Sequence, residues 1–330
     1  MDVELEPVAY RFRRPVVTAY GTLVAREVLR LRLLDQGETV GVGEAAPLPP
    51  YDGVTIDAVR EALSPVLAGL PDDRARWPDV TLAHAAAALD TAWLDARARG
   101  AGTSVAALHA AQPAQSVAVN ATIADTDRAG AARASRAAVD AGFGCVKLKV
   151  GVGDDAGRVA AVRAAAGPDV AIRIDANGAW QVAEAVAALR VLAPAGIELC
   201  EEPVHGTEAL AEVREQLGGE VAIAMDETAH QPGAVGSGAC DFVCLKVGAC
   251  GGITGLWDAA RTARAAGSRV YVASAYDGPV GIAAGLQAAA GLGELAPCGL
   301  ATLALFAAID DPFPVRDGRL AVPAGPGLGL

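Results

Sequence analysis

Apolar and polar residues alternate with a period of two through the first 47 residues, which predicts strands over residues 5–12, 24–34 and 40–45. Asp35-Gln36-Gly37 supplies a turn between the last two, so the three read as an antiparallel meander. The stretch from Arg14 to Thr22, punctuated by Pro15 and Gly21, reads as a loop. After Pro47-Leu48-Pro49-Pro50 the spacing becomes helical, over 56–68, 82–99 and 104–110. Strands followed by helices predict a small α+β domain that closes near Pro113.

From Val117 the pattern changes to strand and helix in alternation. Strands are predicted at 117–123, 145–150, 170–175, 197–201, 221–226, 242–247 and 270–274, with a short one at 299–302. Segments with helical spacing lie between them, at 158–166, 182–192, 210–217, 255–266 and 281–290. Eight parallel strands fit a closed (β/α) barrel better than an open doubly wound sheet, whose Gly-x-Gly-x-x-Gly turn is absent. The expected organisation is an α/β chain with an α+β capping domain at 1–115 and a barrel at 116–302. Residues 303–330 are expected to pack back onto the cap.

Composition narrows the function. A formal net charge of −12 and no Lys/Arg cluster exclude a nucleic-acid partner. The apolar runs fall short of the roughly 20 residues of a spanning helix, so no membrane partner is expected. Met1-Asp2-Val3-Glu4-Leu5-Glu6 lacks the basic and apolar regions of a signal peptide, and a cytoplasmic location is the expectation. Six cysteines without Cys-x-x-Cys spacing read as reduced core residues. His84, His109, His205 and His230 form no metal-ligand spacing and read as surface or cap residues, with His205 near the rim.

The chemistry begins at Val146-Lys147-Leu148-Lys149-Val150. In a strand both lysines share one face while Val146, Leu148 and Val150 pack on the other. Each ammonium disfavours protonation of its neighbour, which lowers a lysine pKa toward the range of a general base. An edge strand with solvent-facing lysines is the plain alternative, and the following strands argue against it. Polar residues interrupt them at their C-terminal ends: Asp175 and Asn177, then Glu201-Glu202-Pro203, then Asp226-Glu227-Thr228, then Lys246. That rim is where a barrel carries its functional residues. Each single acid has the ordinary reading of a helix N-cap, but the whole series would need five such coincidences.

Asp175, Glu201 and Asp226 on three adjacent strands would repel one another without a cation between them. Oxygen ligands without His or Cys indicate Mg²⁺, with Mn²⁺ as the alternative. Lys147 and Lys149 would flank the metal on one side and Lys246 on the other. Such a site suits removal of a proton α to a carboxylate.

These motifs, together with Gly251-Gly252-Ile253 after Lys246 and with Gly41-Val42-Gly43-Glu44-Ala45 and Pro47-Leu48-Pro49 upstream, resemble the enolase superfamily in its muconate-lactonizing-enzyme subgroup. The resemblance implies a modified TIM barrel with a capping domain, and Asp175, Glu201 and Asp226 as metal ligands. It makes Lys149 the catalytic base tuned by Lys147, and Lys246 the lysine of the opposite face. It also implies that Asn177 and Glu227 orient the ligands and lysines. A small-molecule carboxylate is the implied partner, and a homo-oligomer is left open.

The loop from Val16 to Thr22, with Tyr20, would shape the substrate pocket and move without ligand. Ser274-Ala275-Tyr276-Asp277-Gly278-Pro279-Val280-Gly281 and the tail from Gly299 to Gly329 are similar to the o-succinylbenzoate synthase family, as is Arg26-Glu27. Ser274, Ala275 and Tyr276 would then touch substrate. Tyr276 and Gly278 depart from that pattern, which prefers Leu and Thr or Ser. The Asp-x-Asp that dipeptide epimerases of the subgroup carry on the eighth strand is absent from Gly299 to Leu305. Dehydration in menaquinone biosynthesis is the expected reaction. Racemisation of N-acylamino acids, dipeptide epimerisation and cycloisomerisation stay open, as does a non-catalytic binding protein on the same fold.

Overall fold

The computed structural model describes all residues except 19, 20, 125 and 126. Strands β1 (Asp2–Thr18), β2 (Gly21–Asp35) and β3 (Glu38–Ala45) form an antiparallel sheet in that order. Period two is visible in β2: Leu29, Leu31 and Leu33 are fully buried, while Arg30 and Arg32 reach Glu6 and Glu4 on the outer face. The described residues of the expected loop, 14–18 and 21–22, are instead strand. After a register shift between Arg11 and Val16, Val16 pairs with Leu23, Val17 with Thr22 and Thr18 with Gly21. A β-branched run is at ease in extended backbone, and Pro15 is tolerated because β1 is an edge strand. Tyr20 lies outside the described residues.

Helices α1 (Pro49–Asp52), α2 (Ile56–Leu63) and α3 (Ala83–Gly100) complete the N-terminal layer. The Thr55 hydroxyl caps α2 by accepting from the Ala58 amide at 3.1 Å. The helix stops before the expected residue 68, giving way to a 3₁₀ turn at Ser64–Val66, because Pro65 has no N–H to continue it. The predicted helix at 104–110 is likewise one 3₁₀ turn, Ala106–Leu108. Helix α3 lies so close on β3 that a Cβ at Gly43 would stand 1.9 Å from the Ala88 carbonyl oxygen. His84, expected to be a surface or cap residue, is buried in α3 and pairs with Asp52 at 2.9 Å.

The predicted strand 117–123 divides in two. β4 (Ser116–Ala118) pairs antiparallel with a late strand, whereas β5 (Ala121–Ile123) begins the parallel sheet. The barrel continues through α4 (Arg128–Asp140), β6 (Cys145–Lys149), α5 (Asp155–Ala166), β7 (Ala171–Asp175), α6 (Val182–Leu192), β8 (Ile197–Glu201), α7 (Thr207–Leu217) and β9 (Ala222–Met225). Two 3₁₀ turns lead on to β10 (Phe242–Leu245), followed by α8 (Ile253–Ala265), β11 (Arg269–Val272) and α9 (Pro279–Gly291). Strands β5 to β11 hydrogen-bond in sequence order.

The eighth strand expected at 299–302 is only a two-residue bridge at 298–299. Cys298 bridges to Val119 and Gly299 to Ala273, both parallel. Four backbone bonds close the ring there: Cys298 N–H to Ala118 O at 2.7 Å, Asn120 N–H to Cys298 O at 3.0 Å, Gly299 N–H to Val272 O at 2.8 Å and Ser274 N–H to Gly299 O at 3.1 Å. Pro297 cannot donate to a ladder and a turn leads into the 3₁₀ segment Leu303–Leu305, so the strand extends in neither direction.

The chain then returns to its beginning. Phe306 stacks on Phe12 with ring centroids 4.6 Å apart, and the Ala307 amide donates to Arg11 O at 2.7 Å. β12 (Arg319–Ala321) is the strand that pairs with β4. The amide of Leu328 reaches the buried carboxylate of Asp95 in α3 at 2.7 Å. All six cysteines are free, five of them buried. Among the described residues no helix is long and apolar enough to cross a membrane.

Candidate active site

The sheet register brings the polar residues to one rim. Lys149 pairs with Asp175, and Asp175 with Glu201, across β6, β7 and β8. Glu201 pairs with Ala224, and Asp226 follows two residues later on the same face. Val146, Leu148 and Val150 point the other way, into a buried cluster with Val159 and Val162 of α5. Lys246 follows β10, four strands from β6 around the ring.

All three carboxylates are at most 4% exposed. The Lys147 ammonium stands between Asp175 Oδ2 at 2.8 Å and Glu201 Oε1 at 2.5 Å. Lys149 donates to Asp175 Oδ2 at 2.8 Å and to Asn177 Oδ1. Asn177 Nδ2 in turn donates to Glu227 Oε1 at 2.9 Å. Lys246 donates to Asp226 Oδ1 and, at 3.0 Å, to the Tyr51 hydroxyl, which itself donates to Asp226 Oδ1 at 3.1 Å.

The paired-lysine argument for a lowered pKa at Lys147 is overturned. Burial works to lower it, but Asp175, Glu201 and Asp226 outweigh burial and hold the Lys147 ammonium well above the ordinary lysine value. Lys246 is raised in the same way, with Asp226 the leading opposing charge. Asp175 balances burial, which pushes it up, against Lys147 and Lys149, which hold it below the usual carboxylate range. At Glu201 burial wins, and Asp175 and Asp226 add to it against the pull of Lys147. Opposite charges on neighbouring strands count for more here than a like charge on the same strand.

Backbone strain collects on the same rim. Asn177, Glu202 and Tyr276 all have positive φ, at 45°, 42° and 60°. Glu202, read from sequence as a rim acid, is tucked underneath it. Its carboxylate accepts from the Asp226 amide at 2.8 Å, the Thr228 amide at 3.0 Å and the Thr228 hydroxyl, and it meets His205 Nδ1 at 3.0 Å. Glu202 therefore shapes the turn that presents Asp226 and Glu227.

Two family descriptions cover nearly the whole chain: an enolase C-terminal domain-like model matches residues 130–330, and the N-terminal domain model of mandelate racemase / muconate lactonizing enzyme matches residues 1–109. The chain belongs to the enolase superfamily. Its curated relatives include an o-succinylbenzoate synthase of Thermobifida fusca, 41% identical over an aligned length of 220, an alignment that covers 62% of this chain and 66% of that protein. Another, from Mycobacterium bovis, is 46% identical over 177 residues, 51% of this chain and 52% of that one. The chain thus matches between about half and two thirds of the length of these relatives. Among solved structures, a substrate-liganded L-Ala-D/L-Glu epimerase from Bacillus subtilis superposes with a TM-score of 0.89 at 25% identity, covering 100% of this chain and 98% of that one.

As in the superfamily at large, the donor set fits a hard divalent cation: buried carboxylate oxygens on adjacent strand ends, with the Lys147 ammonium already lodged between two of them. Oxygens of Glu201 and Asp226 lie within 4.8 Å of each other and of Cys244 Sγ. Cys244 is the free, buried core cysteine that the sequence predicts, but sequence reasoning missed its place beside the carboxylates, two residues before Lys246 and so on the same strand face. It missed Tyr51 as well, although the Pro-rich stretch just before it had marked this part of the cap. The third omission is Tyr271, buried in β11, whose hydroxyl donates to Glu201 Oε2.

The mouth above the carboxylates is a cavity of about 100 Å³ that opens to solvent. Leu48 and Tyr51 of the cap form one side, and Ser274, Ala275, Tyr276 and Thr302 of the barrel form another. The expected substrate-facing residues Ser274, Ala275 and Tyr276 are thus at the pocket wall, while Asn120 and Thr122 add polar groups that the sequence did not single out.

Proposed function

We propose that the protein is a Mg²⁺-dependent lyase that removes a proton α to a carboxylate, acting as an o-succinylbenzoate synthase. The observation that carries the α-proton chemistry is the placement of Lys149 and Lys246 on strands four apart, with three buried carboxylates between them. Asp175, Glu201 and Asp226 would hold the metal, and Mn²⁺ could replace Mg²⁺. When bound, it supplies positive charge against the negative charge that collects on the substrate carboxylate.

The substrate is a cyclohexadiene carboxylate bearing a succinyl chain. In its free-base form Lys149 takes the α-proton, and the electron pair left behind delocalises onto the carboxylate. The hydroxyl on the neighbouring carbon then departs with a proton returned by Lys149, so water leaves and the ring becomes aromatic. Asn177, bonded to Lys149 and to Glu227, orients the base. Lys147 neutralises Asp175 and Glu201. Lys246, held by Asp226 and Tyr51, faces the substrate as a fixed positive charge.

Dehydration is favoured over epimerisation because the run from Cys298 to Leu305 holds no acid to grip a substrate ammonium. The relatives' identities support the same choice. A racemase, epimerase or cycloisomerase is the second reading, favoured by the likeness to the epimerase structure. The test follows loss of diene absorbance with purified protein and Mg²⁺, beside a panel of N-acylamino acids and dipeptides in D₂O scored for α-deuterium exchange. Lys149→Ala should lower kcat by about a thousandfold or more. Lys246→Ala should leave measurable dehydration, whereas a two-base racemase would lose its activity with either lysine. Exchange and inversion without dehydration would reject the synthase reading and keep the α-proton chemistry.

A further inference from the structure

Helix α9 begins without a cap of its own. Its N-cap is Gly278, which has no side chain, and Pro279 follows at the first helical position. The Gly278 amide nevertheless has an acceptor, the Glu44 carboxylate at the end of β3: it donates to Glu44 Oε1 at 2.7 Å, and the nearby Gly281 amide helps to stabilise the same carboxylate's charge. Glu44 is 7% exposed and is 234 residues away in sequence. The two glycines make the room. A Cβ at Gly278 would lie 2.5 Å from Glu44 Oε2, and one at Gly281 2.8 Å from Glu44 Oε1.

The four residues before this helix are the pocket wall and its support. Asp277 Oδ1 accepts from the Ala275 amide at 3.2 Å, and the Tyr276 carbonyl accepts from Arg26 Nε at 3.4 Å. Arg26 is buried in β2 and also donates to Ala46 O at 2.8 Å and Pro47 O at 2.9 Å, just ahead of Leu48 and Tyr51. The cap sheet therefore grips the loop 274–278 at its middle, through Arg26 on Tyr276, and at its end, through Glu44 on Gly278.

We infer that Glu44 is a positioning residue for substrate binding: its carboxylate supplies, from the capping domain, the missing N-terminal cap of α9 and thereby fixes the wall Ser274–Ala275–Tyr276 when the cap is seated. A cap from elsewhere in the chain satisfies the same free amides as a local Ser or Asp, and the carboxylate is favoured by the helix dipole. It also makes the wall conditional on domain docking. The inference rests on the reading of that wall as part of the substrate pocket.

The test compares wild type, Glu44→Ala and Glu44→Gln, the last of which keeps an oxygen acceptor of the same reach. Hydrogen exchange of the peptide spanning 274–285 should speed up about tenfold in Glu44→Ala and return close to wild type in Glu44→Gln. With the diene substrate, Glu44→Ala should raise KM about tenfold and leave kcat within about threefold, with rescue by Gln. Calorimetric Mg²⁺ binding should be equal in all three, since the carboxylate site lies on other strands. If Glu44→Ala fails to fold, Glu44→Asp, shorter by one methylene, takes its place in every comparison. Unchanged exchange at 274–285, an unchanged KM, or a Gln variant as impaired as the Ala variant would each overturn the assignment. Should wild type not turn over the diene at all, the reaction assignment alone has failed, and the exchange comparison decides the role of Glu44.

Discussion

Glu44 shows how a single side chain can tie stability to pH. Burial, then the neighbouring charge of Asp277, push its carboxyl up from 4.5 to about 7, against Arg30 and the amides of Gly278 and Gly281. Arg26 and Tyr10 are the other titratable groups beside this cluster. With the folded value above the unfolded one, the unfolded chain releases this proton first as pH rises. The stabilising difference is therefore present below pH 4.5 and is lost by about pH 7. The full shift corresponds to about 3 kcal/mol. Thermal unfolding of Glu44→Gln between pH 5 and 8 should consequently show a smaller fall in Tm than wild type; an equal fall would assign the pH dependence to other groups. The lysines and acids of the rim were legible in sequence because strand-end polar residues in an apolar context stand out. The protonation of Lys147 was not, since its controlling partners, Asp175 and Glu201, enter from two other strands. Tyr51 and Tyr271 were hidden for a similar reason: only the folded chain brings a cap helix and the seventh strand to the carboxylates.

Among the elements, β3 and α3 are held at a separation that only glycine permits. Gly43 faces the Ala88 carbonyl, and Gly41 would carry a Cβ 2.1 Å from the Ala92 carbonyl oxygen. Gly43→Ala has to push an 18-residue helix off the sheet, at a cost of about 3 kcal/mol. Chemical denaturation should register this as a lower midpoint; an unchanged midpoint would mean that α3 shifts freely. Element prediction succeeded where hydrophobic period and turn residues agreed, as at β8, whose bounds 197–201 match the expectation. It failed where pairing decided the outcome. Residues 14–18 became strand because a partner strand was in reach, and the eighth barrel strand shrank because Gly299 and its flanks give a ladder little to hold.

For the whole molecule, the cap and barrel share one pocket, so ligands that bind the rim should stabilise both together. Mg²⁺ at a hundred times its Kd should raise stability by about 2.7 kcal/mol, read as a rise in Tm that Asp226→Ala abolishes. A metal-independent Tm would count against the carboxylate site. Architecture at this scale was readable because repeated strand–helix alternation leaves few topologies. The way the tail weaves through the N-terminal half was not, because it depends on pairings such as Ser116 with Ala321 that no local pattern encodes. That weave bears on how the protein is made. Phe12, Asp95 and Val119 emerge from the ribosome early, yet they wait for Phe306, Leu328 and Cys298. At roughly 5–20 residues per second, synthesis leaves these early segments without their partners for something like ten seconds to a minute. During that interval the ring is unsealed and Phe12 lacks the aromatic partner that covers it, so the nascent chain exposes apolar surface that the finished fold hides.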